Sequence, residues 1–133
     1  MQERTKPVTF TAWIGRHGED IKNWITGFQG LTDYRGGGFE KSSGTYTVPE
    51  DGIYIFGLKA KSGSQLASSR IDFYRNNAYV QAVVYEGNEK DYWNNLGTTW
   101  TDTLNKGDKL RLKVTHGTVD GWLHWWGVRI FAN

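Results

Sequence analysis

Apolar residues in this chain recur at every second position, segment after segment, and that period commits it to β-strands with two distinct faces. Val8, Phe10, Ala12 and Ile14 alternate with Thr9, Thr11 and Trp13. Tyr46 and Val48 alternate with Thr45 and Thr47, and Tyr54, Phe56, Leu58 and Ala60 with Ile53, Ile55, Gly57 and Lys59. Ile71 and Phe73 follow the rule, as do Tyr79, Gln81 and Val83, then Leu110, Leu112 and Val114, and finally Trp125, Gly127, Arg129 and Phe131. Turn residues separate the runs, among them Gly36-Gly37-Gly38, Pro49-Glu50-Asp51-Gly52, Asn76-Asn77 and Asn105-Lys106-Gly107-Asp108. No segment of useful length repeats at the helical period. Short strands at regular spacing predict an all-β sandwich or jelly roll.

The length of 133 residues suits a single domain over 1–133, with residues 1–6 expected to be flexible. Only 38% of the residues are hydrophobic, yet seven Trp, seven Tyr and six Phe can fill a core. A net charge of +2 gives no strong field for phosphates, which argues against a nucleic-acid partner. Cysteine is absent, which excludes disulfides, thiol nucleophiles and thiolate metal sites. No run approaches the roughly 18 apolar residues of a membrane span. No apolar stretch follows Met1, so no signal peptide is visible.

Catalytic motifs are missing: there is no nucleophile elbow, no phosphate loop and no zinc-protease helix motif. His17, His116 and His124 lack the spacing of a two-histidine strand site, and read best as loop histidines. The carboxylate pairs Glu19-Asp20 and Glu50-Asp51 fall in turns. A glycoside hydrolase would need two carboxylates held across a cleft, and nothing in the spacing marks such a pair. The expectation is a non-enzymatic protein.

Two stretches are apolar on both faces, Ile53 to Leu58 and Leu123 to Phe131. One face fills the sandwich; the other, carrying Ile53, Ile55 and Gly57, is expected to pack on another subunit. Tyr54, Phe56, Trp125, Gly127 and Phe131 are the expected core.

These residues resemble the signature of the complement C-one-q globular-head family, within the tumour-necrosis-factor-like jelly rolls. Phe39 and Tyr46 are separated by six residues, Tyr46 and Gly52 by five, and Gly52-Ile53-Tyr54-Ile55-Phe56 matches the signature's Gly-x-Tyr-x-Phe end. Ile71 to Asn77, Leu104 to Leu112 and Trp125 to Phe131 resemble later strands of the family in order. The resemblance implies a jelly-roll sandwich of about ten antiparallel strands. It also implies a homotrimer, secretion, and recognition of a ligand. Some members bind Ca²⁺ near the apex, some act as lectins in innate immunity, and others bind protein receptors as signalling heads.

Strand parity predicts that Lys61–Ala67, Tyr85–Asn95 and His116–Leu123 are loops gathered at the end opposite the C-terminus. Asp91, Tyr92, Trp93, Asp120 and Trp122 are the candidate ligand-binding residues there, because rings beside carboxylates suit sugars. Asp91 and Asp120 are candidate Ca²⁺ ligands, with no other cofactor expected. Asp102 and Arg129 stand where the family is apolar. Two opposite charges on one inner face are expected to pair, within a subunit or across the trimer interface.

Overall fold

A computed structural model of the chain describes residues 7–33, 38–63, 69–86 and 95–131. All regular structure among them is β: β1 (Thr9–Trp24), β2 (Gly30–Asp33), β3 (Phe39–Glu40), β4 (Thr45–Thr47), β5 (Gly52–Lys61), β6 (Ser69–Arg75), β7 (Ala78–Glu86), β8 (Asn95–Leu104) and β9 (Lys109–Phe131). Every pairing is antiparallel.

The long strand β9 serves two sheets. Its C-terminal half, from Trp122 on, lies between β1 and β5, giving the order β2-β1-β9-β5-β8. Its N-terminal half pairs with β4 on one side and β6 on the other, giving β3-β4-β9-β6-β7. β1 also crosses over: Thr9–Gly15 belongs to the first sheet, while Asn23 and Trp24 pair with Val114 and Lys113 in the second. The two five-strand sets face each other as a jelly-roll sandwich.

Between them lies the aromatic core. Phe10, Phe56 and Trp125 come from the first sheet, Tyr46, Phe39 and Phe73 from the second, and all six are buried. Phe10 meets Tyr46 at 4.1 Å between centroids and stands edge-on to Trp125 at 5.2 Å. Gly127 is buried among these rings because nothing larger fits: a Cβ there would come within 2.7 Å of both Phe10 and Phe56. The hairpin between β6 and β7 turns on Asn76 and Asn77, both at positive φ (53° and 65°), as a two-residue primed turn requires.

Three expectations fail here. Phe131 is 65% exposed rather than buried. The register explains it: Tyr54 opposes Arg129 but Ile53 opposes Phe131, so Ile130 is an extra residue in a bulge and everything after it changes face. Residues 116–123 are not a loop but part of β9. The strand instead runs through and bends, with Gly117 at a left-handed φ of +63°. Lastly, β7 does not alternate. Bulges opposite Ile71/Asp72 and Phe73/Tyr74 bury Val83 and Val84 side by side and leave Tyr79 outside.

Candidate functional site

Strand ends converge at one end of the sandwich, as parity predicts. Lys61 pairs with Asn95, Ser69 with Glu86, and Ser62 bridges Val119. The Gly63 amide and the Ser69 hydroxyl both donate to the Thr118 carbonyl, at 2.9 and 2.7 Å. Ser62, Ser69, Thr118 and Asp120 are all buried, so polar side chains lie in the interior at this end beside the buried Val119. Asp120 is fully buried opposite Asp20 of β1, which corrects its expected place at the ligand surface. Trp122, two residues on, is 43% exposed. Asp91, Tyr92 and Trp93 lie outside the described residues. Among the described residues, no group of three or more His, Asp or Glu could hold a metal ion.

The outer face of the first sheet carries large apolar side chains among threonines. Trp126 lies over Gly57, its cross-strand partner on β5, and Trp13 lies over Gly30, its partner on β2. A ring laid across a strand glycine covers backbone that has no side chain to shield it. His124, the cross-strand partner of Trp13, stacks against it at 6.5 Å. The same face continues through Thr11, Val128, Ile55 and Ile53. An unbroken register from Trp122 to Val128 puts Trp122 on this face too. Ile53 and Ile55 are half-buried, in contrast to the fully buried Tyr54 and Phe56 between and beyond them.

Asp102 and Arg129 flank Tyr54 on its two neighbouring strands. Within the subunit they do not hold each other. Asp102 accepts from Arg75 Nη1 at 3.1 Å and from the Thr103 amide at 2.9 Å. Arg129 turns to the rim, where Nε donates to the Asp51 carbonyl at 2.8 Å. There it lines an open polar cleft with Pro49, Glu50, Asp51 and Lys106. Sequence reasoning missed Arg75 as the partner of Asp102, because the two lie on different sheets. It also missed the two tryptophan–glycine pairs, which only the register reveals.

No protein-family model matches the sequence, and no curated protein does. Solved structures do. The globular domain of zebrafish complement 1qA matches at a TM-score of 0.76 and 17% identity, over 95% of this chain and 99% of that one. Eiger TNF from S. frugiperda matches at 0.74 and 11% identity, over 96% and 94%. Murine APRIL matches at 0.71 and 13% identity, over 94% and 100%. The chain has the complement-1q/TNF-like jelly-roll fold. In this fold the nearly full coverage on both sides leaves no large inserted element in the chain. The similarity expected from the residue pattern around Phe39, Tyr46 and Gly52–Phe56 is thus matched at the level of the fold.

Proposed function

We propose that the protein is an extracellular, non-enzymatic recognition domain that acts as a homotrimer. The observation that carries this reading is the outer face of β1, β9 and β5, where Trp126 over Gly57, Val128, Ile55 and Ile53 form a half-buried apolar patch. Leaving such a face in water is unfavourable by roughly 25 cal/mol per Å² of apolar area, so a second and third copy are its natural cover. The resemblance to the complement globular head supports three copies rather than two. Asp102 and Arg129, at the base of the same sheet, belong to the rim of the proposed interface.

Ligand binding falls to the apical end. Trp122 supplies an exposed ring there, and Asp91, Tyr92 and Trp93 are proposed to act with it. A carbohydrate is the ligand class that such rings and carboxylates suit. Ca²⁺, if used, would involve Asp91. The other reading is a signalling head for a protein receptor. Light scattering of the purified chain at micromolar concentration should return the mass of three subunits, and a monomer would overturn the trimer. A glycan array should give a hit that Trp122→Ala loses; silence on the array, with capture of a protein ectodomain by the trimer, would favour the receptor reading.

A further inference from the structure

The second sheet carries a cluster on its outer face that neither the subunit surface nor the apex uses. Trp24, at the end of β1, is covered by two cations: the Arg111 guanidinium carbon is 3.9 Å from the ring centroid and Lys113 Nζ is 4.9 Å away. Tyr74 on β6 meets Trp24 edge-on at 4.9 Å, and Tyr79 on β7 meets Tyr74 at 6.1 Å. Lys113 also lies 5.8 Å from the Tyr74 ring. The register assembles the group from four strands: Tyr74 opposes both Arg111 and Tyr79, and Lys113 opposes Trp24. Three rings and two cations therefore run across the strands as one strip.

The charge of this strip is not balanced. Asp72 is buried beside it, and both its oxygens are taken, by Arg70 Nε at 2.7 Å and by the Thr115 hydroxyl at 3.0 Å. That ion pair also settles Arg70, which holds the Tyr79 hydroxyl at 3.2 Å. Among the described residues, Asp72 and Asp102 are held in ion pairs by Arg70 and Arg75. Arg111 and Lys113 lie on ring faces and, among the described residues, have no ion pair; Lys113 opposes Asp72 across the strands, but the oxygens of Asp72 are already held by Arg70 and Thr115. A guanidinium stacked on a ring spends its flat face and keeps its terminal N–H edge for an anion. Tyr79, 53% exposed, leaves a ring open at the end of the strip.

We propose that Trp24, Tyr74, Tyr79, Arg111 and Lys113 form a binding site for a sulfated polysaccharide. The two uncompensated cations meet sulfate groups, and the open Tyr79 ring takes the apolar face of a sugar. A simple phosphate would use the cations and leave the ring idle. A nucleic acid would need a broader positive field than a chain of net charge +2 supplies. The strip lies on the opposite sheet from the proposed subunit face, so the site does not depend on assembly.

The test is titration calorimetry of the whole chain with a heparin oligosaccharide at low and at near-physiological salt. Binding is expected, weakening as salt rises, and desulfated heparin should not bind. Arg111→Gln with Lys113→Gln should weaken it by roughly tenfold or more and flatten its salt dependence. Tyr79→Ala should weaken it with the salt dependence kept. Lys41→Gln with Lys106→Gln, exposed cations elsewhere, should leave it unchanged. If the double variant melts below the assay temperature, Lys113→Gln alone and Tyr79→Ala carry the test. Absence of binding at low salt, equal loss in the Lys41/Lys106 variant, or equal affinity for single-stranded DNA of matched charge would each overturn the assignment.

Discussion

Arg75 Nη1, at the last residue of β6, donates to Asp102 Oδ2 on β8 at 3.1 Å and so ties one sheet of the sandwich to the other. Both groups are partly exposed, so screening keeps the pair modest. A double-mutant cycle with Arg75→Ala and Asp102→Asn should give a coupling of about 0.5–1 kcal/mol. The corresponding cycle between Asp102 and Arg129 in the monomer should be additive, since Arg129 is held by the Asp51 carbonyl. Coupling above the experimental error in that second cycle would mean that the two charges meet within the subunit after all.

Gly127 is fixed by what surrounds it. Adding a methyl group drives it against the rings of Phe10 and Phe56, neither of which has a free side to move toward. Gly127→Ala should cost about 1–3 kcal/mol of stability by denaturant titration. Phe56→Ala, which removes a ring touching Tyr54, Phe73, Trp100 and Trp125, should cost about 3–5 kcal/mol. Phe131→Ala should cost almost nothing in the monomer, because the bulge at Ile130 has already put that ring outside.

How far the residues announced this arrangement depends on whether alternation runs unbroken. It does so through β5, and the facing of Tyr54 and Phe56 against Ile53 and Ile55 was legible at once. It fails at bulges, where one extra residue inverts all that follows: Phe131 and the paired Val83 and Val84 are the cases. Residues 116–123 read as the loop entering the last strand, yet they are strand, and Gly117 at positive φ lets it pass from one sheet to the other. Asp120 looked like a loop carboxylate for that reason and proved to be buried. The strip around Trp24 was invisible because its members come from four strands, and no spacing along the chain brings them together.

Tyr46 gives the chain an alkaline limit. Its side chain is buried, and burial first, then the neighbouring Tyr54 and Asp33, raise its hydroxyl pKa well above the ordinary tyrosine value. The neutral form is thus the one the fold accepts. Stability from this group is complete below the unfolded-state pKa of about 10 and falls as pH rises beyond it. Melting temperature should therefore drop more steeply above about pH 10 in the native chain than in Tyr46→Phe, whose aromatic packing on Phe10 is kept. Identical slopes for the two proteins would show that Tyr46 does not control the alkaline transition.

The pairing of Trp126 with Gly57 separates folding from assembly. The ring sits on the outside of the sheet, so truncating it leaves the core of Phe10, Phe56 and Trp125 untouched. What changes is the surface: the glycine backbone and the edge of Ile55 become a hollow where the native face carries the ring. A trimer stabilised through that face melts at a temperature that rises with protein concentration. Trp126→Ala should abolish that rise and sediment as a monomer, while retaining a cooperative transition of its own. Gly57→Ala should act in the same direction, because its new methyl group displaces the Trp126 ring. Concentration-independent melting of the unmodified chain across the micromolar range would remove the basis for assigning this face to a partner subunit.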